Sequence, residues 1–277
     1  MPRVSIGDSR MYYERHGGGF PVLFVTGLSG YASFWRDQIP VFSRSYDVIV
    51  YDHRGVGQSD HVGAASSIDR LAADAIALID QLGLKKIHII GHSAGSAVAQ
   101  ILAIDHPERL ASVVLAGAWT KPDAYFRRFF GLRKELLSRL GPSSYIQANT
   151  LFLYPANYIA ANNEHLRQLE AQWLANFPPL EVTASRIDAI LAFDRTADLS
   201  RIRVPTLVLS AHDDLITPSY FGEELARESC AGVQGRPGCR RERRHTRRGP
   251  DAVARCAQSG EARAGVPDSL ERDERVG

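Results

Sequence analysis

Ser93 stands in Gly91-His92-Ser93-Ala94-Gly95, directly after the apolar run Ile87-His88-Ile89-Ile90 and directly before a helical pattern. Gly-x-Ser-x-Gly at a strand-to-helix junction holds its serine on a sharp bend, with the hydroxyl lifted clear of the chain. The two glycines serve a steric end, since any larger side chain would meet the neighbouring strand or helix. The bare pattern arises by chance in roughly one chain of this length in ten, so the strand and helix around it carry the inference. The chemistry offered is attack on a carbonyl carbon. A serine hydroxyl needs a base within hydrogen-bond reach and a third group to orient that base. The oxyanion that forms needs fixed donors.

The sequence supplies most of these parts. Ala94 follows the nucleophile, and its backbone N–H is one expected oxyanion donor. The second is the N–H of Leu28, which follows Thr26-Gly27 at the end of an apolar strand; Gly27 lets the backbone approach a ligand. For the acid, Ser210-Ala211-His212-Asp213-Asp214-Leu215-Ile216-Thr217-Pro218 places two carboxylates just past a strand. Asp214, four residues before Pro218, is the expected acid. Asp213 is the alternate, and it is also suited to capping the following helix.

The order serine then acid places the base downstream, where His245 is the only histidine. It sits in Arg-Arg-Glu-Arg-Arg-His-Thr-Arg-Arg with no apolar strand before it, and the surrounding cations oppose its protonation. The His92 side chain is expected to point away from the hydroxyl beside it. His53 and His212 fall near the expected mouth as substrate contacts, whereas His16, His61, His88, His106 and His165 read as structural or solvated. Gly27, Trp35 and Tyr154 are expected to line the substrate site.

These groups need a scaffold, and the hydropathy pattern provides one. Val4–Ile6 and Met11–Arg15 read as a hairpin. Val22–Val25, Val48–Tyr51, Ile87–Ile90, Ala111–Leu115 and Thr206–Leu209 read as further strands, several of them continuous apolar runs suited to a sheet covered on both faces. Helices are expected through Phe34 and Trp35 to about Phe42, from Ile68 to Leu82 with a stop at Gly83, and from Ala94 to Ile104. This alternation predicts an α/β fold: a mostly parallel twisted sheet with helices on both faces. Ligands then bind beyond the carboxyl ends of the strands, where the loops bearing Gly27, Ser93 and Asp214 fall. Between Ala116 and about Asp198 the strand rhythm gives way to a helical, aromatic-rich stretch, read as an inserted cap. The expected division is 1–116 core, 117–198 cap, 199–228 core and 229–277 an atypical tail, poorly ordered.

Composition separates that tail from the rest. Residues 1–228 carry a net charge of −2 and residues 229–277 a net of +4, so the basic balance gives no nucleic-acid signal for the body. Cys230, Cys239 and Cys256 all lie in the tail, in a spacing that fits neither a disulfide framework nor a zinc site. No apolar run approaches a membrane span and the start lacks a signal-peptide core. The expectation is a cytoplasmic protein with no membrane or nucleic-acid partner, no cofactor and no metal, acting on a small molecule, with a homodimer left open.

Together the Gly27 loop, Asp52-His53-Arg54-Gly55-Val56-Gly57-Gln58-Ser59, the Ser93 elbow and Asp214…Pro218 resemble the α/β-hydrolase family. Within it the chain is similar to the pyrimidine-utilisation protein D group of aminoacrylate or carbamate hydrolases. Leu151-Phe152-Leu153-Tyr154-Pro155-Ala156-Asn157-Tyr158-Ile159-Ala160 and Ile202-Arg203-Val204-Pro205 carry that likeness. The resemblance implies a Ser-His-Asp mechanism on a carbamate or aminoacrylate-like C–N bond. An esterase or enol-lactonase is the alternative, and a non-catalytic binder on the same scaffold is a further one. The likeness covers roughly residues 20–225. Beyond Glu228 the family continues with a strand, a turn bearing the histidine and a helix, where this chain has arginine-rich text free of aromatic residues. With permitted codons, residues 231–238 displaced by one nucleotide read proline, glycine, phenylalanine, lysine, valine, valine, proline, glycine, so the tail reads as the product of a shifted frame.

Overall fold

A computed structural model describes residues 2–61 and 66–230. Its centre is a seven-stranded sheet in the order β1-β2-β4-β3-β5-β6-β7. The strands are β1 (Arg3–Ile6), β2 (Ser9–Gly17), β3 (Phe20–Val25), β4 (Tyr46–Tyr51), β5 (Ile87–His92), β6 (Leu110–Ala116) and β7 (Thr206–Leu209). β1 and β2 form the expected hairpin, β2 runs antiparallel to β4, and the remaining neighbours are parallel.

Side-chain alternation explains why the central strands are apolar at most positions. Leu23 and Val25 of β3, Ile49 and Tyr51 of β4, and Ile87 and Ile89 of β5 join the larger cluster. That cluster includes helices α2 (Ile68–Gln81) and α3 (Ala94–Asp105). Val22, Phe24, Val48, Val50 and Ile90 face the other side, against Trp35 and Phe42. Two covered faces per strand favour apolar residues, and the polar exceptions are partnered: His88 of β5 with Ser112 and Asp47 of β4 with Arg15.

The stretch expected as one helix from Phe34 to Phe42 is two short pieces: a 3-10 turn Ala32–Trp35 and α1 (Ile39–Phe42). Pro40 is the reason. It has no N–H to give an earlier turn, so it is tolerated at the start of a helix and not inside one. By contrast α2 stops as expected, with Gly83 in the left-handed region at φ 67°.

Between β6 and β7 the chain forms α4 (Ala124–Leu153), α5 (Ala156–Ala175) and α6 (Leu180–Ala192). Helix α4 breaks at Gly141-Pro142, where Gly141 takes φ 76° and ψ −179°. These helices are held against the loops at the carboxyl ends of the strands. Val182 of α6 packs over Gly55, the Tyr31 hydroxyl donates to the Asn176 carbonyl, and the Tyr125 hydroxyl donates to the Leu215 carbonyl at 2.5 Å. Helix α7 (Ser219–Cys230) follows the Asp214 loop. No helix among the described residues is long and apolar enough to cross a membrane.

Candidate active site

Ser93 takes φ 53° and ψ −122° between β5 and α3, and it is the only non-glycine residue with positive φ among those described. Such a conformation is costly for a side chain and persists only where neighbours impose it. Here the neighbours are visible. The Ser93 N–H donates to the Ala116 carbonyl of β6 at 2.9 Å, and the Ser93 carbonyl accepts from the Ser96 N–H at 2.7 Å and the Ser96 hydroxyl at 2.6 Å. A Cβ on Gly91 would collide with the Gly95 carbonyl, and one on Gly95 with the Val25 carbonyl. Helix α3 therefore starts nearly in contact with β3 and β5, and only glycine permits it.

The bend leaves Ser93 half-buried, and its Oγ hydrogen-bonds to no described residue. The Gly27 backbone lies against it: a Cβ there would stand 2.9 Å from Ser93 Cβ and 3.4 Å from Oγ. Gly27–Gly30 is a closed turn, with the Gly30 N–H donating to the Gly27 carbonyl at 3.1 Å. The N–H groups of Leu28, inside this turn, and of Ala94, at the start of α3, donate to no described residue. Ala94 opens a helix N-terminus, which favours negative charge. Asp52 fixes the segment after the Gly27–Gly30 turn, its carboxylate accepting from Ala32 N–H at 2.7 Å and Gln58 N–H at 2.8 Å. Burial raises the Asp52 pKa, and those two hydrogen bonds oppose the rise.

Asp214 lies two strands away from the elbow, just past β7. Its Oδ1 accepts from the N–H groups of Ile216 at 2.7 Å and Thr217 at 3.0 Å, and its Oδ2 from the Thr217 hydroxyl at 3.0 Å. Asp214 thus closes a tight turn just ahead of α7; Asp213 is exposed. Thr217 in turn abuts Gly117, where a Cβ would be 3.2 Å from its Oγ1 and 3.8 Å from His92 Nε2.

The His92 ring packs between Phe34 and the Gly117 backbone. It stacks on Phe34 with 4.9 Å between ring centroids and 22° between planes, and its Nδ1 is buried without a partner among the described residues. Burial lowers its pKa, with the charge of Asp214 opposing.

Other expected contacts fall elsewhere. Trp35 is 0% exposed, packed on Phe24, because the 3-10 turn directs it inward; Phe34, 40% exposed, takes the outward position. His53 is likewise fully buried and accepts a hydrogen bond at Nδ1 from Arg186, so it is no contact at the mouth. His212 remains exposed. Tyr154 is half-buried and stacks on Tyr158 at 5.3 Å, within electrostatic reach of Arg36; burial raises its pKa. His245 lies outside the described residues, as do Cys239 and Cys256.

Sequence reasoning missed Arg186 and Thr217. Arg186 left a faint signal: it shares an i, i+4, i+8 row with apolar Val182 and Ile190, the buried face of α6.

The sequence pattern of the α/β-hydrolase fold matches residues 21–236. A protein of Azorhizobium caulinodans named "Putative carbamate hydrolase RutD" is 41% identical over 226 residues, 82% of this chain and 85% of its own length. One of the same name from Stutzerimonas stutzeri is 41% identical over 221 residues, 78% of this chain and 83% of its own. Among solved structures, the enol-lactonase of Burkholderia xenovorans superposes with a TM-score of 0.79 at 22% identity, covering 94% of this chain and 97% of that one. An esterase of Thermogutta terrifontis gives a TM-score of 0.71 at 27% identity, covering 82% and 86%. A serine bent out of the chain between β5 and α3, on a sheet shared with these proteins, leaves no other placement: the chain belongs to the α/β-hydrolase family of enzymes.

Proposed function

We propose that the protein is a serine hydrolase acting on a small carbamate or aminoacrylate-like C–N bond. The observation that carries this reading is the positive-φ Ser93 at a strand-to-helix bend with the Gly27 backbone packed against it. In the proposed reaction, Ser93 Oγ bonds to the substrate carbonyl carbon and gives up its proton to a histidine. The oxygen of the tetrahedral intermediate takes the negative charge and is held by the Leu28 and Ala94 N–H groups. Collapse breaks the C–N bond, and the departing nitrogen takes the proton from the histidine. Water then releases the acyl group by the same steps, and Asp214 orients the imidazole throughout. His245, the only histidine that follows Asp214 in the chain, is the proposed base. Gly27, Phe34 and Tyr154 are proposed to border the substrate.

The C–N preference rests on the two relatives at 41% identity named for carbamate hydrolysis. Esters and enol-lactones form the second reading, favoured by the fold shared with an enol-lactonase and an esterase.

A fluorophosphonate probe tests the proposal on the full chain. Covalent labelling that disappears in Ser93→Ala is the expected result, with loss of labelling in His245→Ala if that imidazole is the base. A folded sample that does not label would leave only a binding scaffold. Turnover compared across small carbamates, esters and lactones then separates the two substrate readings.

A further inference from the structure

Arg186 is a cation that the fold buries and does not neutralise. It lies on α6, is 3% exposed, and meets no carboxylate among the described residues. Its one hydrogen bond runs from Nη2 to His53 Nδ1, while Nη1 donates to nothing described. Burial pushes its pKa down to about 10, with the phenols of Tyr51 and Tyr31 opposing. An unpaired buried guanidinium is a cost to folding, so its contacts call for a reason beyond stability.

Those contacts converge on one turn. The guanidinium lies against Gly30: a Cβ there would stand 2.8 Å from Nη2 and 2.9 Å from Cζ, and would overlap Nη1. Gly30 closes the turn begun by Gly27, and its carbonyl accepts from the His53 N–H at 2.8 Å. Arg186 therefore seats the Nη1–Nη2 end of its guanidinium against Gly30 and donates to His53, the residue to which Gly30 is hydrogen-bonded. Leu28 lies inside this turn, and Gly27 at its other end touches Ser93. Gly30, at φ 76°, has both the conformation and the bare surface this packing needs.

We propose that Arg186 is a positioning residue, reaching from α6 to clamp the Gly27–Gly30 turn against His53 so that the Leu28 N–H faces Ser93 Oγ. The proposal rests on reading Leu28 and Ala94 as the oxyanion donors. A lysine does not substitute, because a compact ammonium cannot both fill the space against Gly30 and donate to the imidazole, as the two fixed terminal nitrogens of a guanidinium do.

Arg186→Met and Arg186→Lys in the full chain test it by three readouts. The expected result for both is amide exchange in the segment 26–32 faster by about tenfold. Fluorophosphonate labelling of Ser93 should be about 10- to 100-fold slower. The Met variant should unfold at a temperature equal to or above wild type, because it removes an unpaired buried charge. A folded Met variant with unchanged exchange in 26–32 overturns the clamp. So does a fall in unfolding temperature with protection lost evenly across the sheet, which marks a plain structural bridge. If the Met variant does not fold, the Lys variant decides by the same exchange criterion. If wild type itself does not label, the hydrolase reading fails, and exchange alone still judges the clamp.

Discussion

Gly27 and Ser93 are packed so closely that the side chain Gly27 lacks would stand 2.9 Å from Ser93 Cβ. Real Cβ atoms do not approach that near, so Gly27→Ala must push the Gly27–Gly30 turn away from the hydroxyl. The Gly27 φ is not positive, so the backbone itself bears no added strain. The expected outcome is selective: turnover of a small ester falls about 100-fold, as misplaced oxyanion donors do, while the urea midpoint barely moves. Steady-state kinetics beside a urea titration measure both, and an active Gly27→Ala enzyme contradicts the close approach.

Asp214 offers a second separation. An asparagine there retains an amide oxygen able to accept from Ile216 and Thr217, so the loop should survive. It loses the charge that orients and stabilises an imidazolium. Asp214→Asn should therefore lower kcat by about 10⁴ with no loss of stability, whereas Asp213→Asn should remain within a few-fold of wild type. A large loss in Asp213→Asn with Asp214→Asn near wild type would move the acid to the other carboxylate.

The fold was legible because its strands announce themselves. Val22–Val25 and Val48–Tyr51 are apolar on both faces, Ile87–Ile90 is apolar but for His88, and the glycines at 91 and 95 mark where α3 touches the sheet. Local pattern failed where a single residue changes geometry without changing hydropathy. Pro40 split an apolar stretch that otherwise scans as one helix, and the split turned Trp35 into the core and Phe34 out of it. Asp213 and Asp214 are equivalent by composition, and the hydrogen bonds of Asp214 to Ile216 and Thr217 follow the path of the turn, which hydropathy does not report. Arg186 was hidden for a different reason. Its partners Gly30 and His53 lie more than a hundred residues away in sequence, and no periodicity reports contacts at that range.

Buried imidazoles set the acid response. Burial, and then the charge of Arg186, hold the His53 pKa well below its ordinary value of 6.5. Below pH 6.5 the unfolded chain binds a proton there that the folded protein refuses. The stability is thus fully present above pH 6.5 and declines as pH falls, by up to about 1.4 kcal/mol per pH unit for each such histidine. His92 and His88, also lowered by burial, act in the same direction. Urea titrations at pH 7, 6 and 5 should show falling stability, with a slope shallower by about one proton in His53→Gln. An identical slope in that variant would assign the acid sensitivity to other groups.

The backbone of Ser93 allows function and strain to be measured against each other. At φ 53° and ψ −122° a serine or an alanine carries the cost of its Cβ, and a glycine does not. Ser93→Ala and Ser93→Gly both remove the nucleophile, so neither should label with a fluorophosphonate. They should differ in stability. The elbow penalty is about 1–3 kcal/mol, and glycine returns roughly 0.5–1 kcal/mol of it as extra freedom of the unfolded chain. Ser93→Gly should therefore be more stable than Ser93→Ala by about 1 kcal/mol, read as a higher urea midpoint with an unchanged m value. Because the two variants differ only in that methyl group, a higher midpoint for the alanine would mean that the bend is relaxed in solution. The hydroxyl would then not be held toward the amides of Leu28 and Ala94.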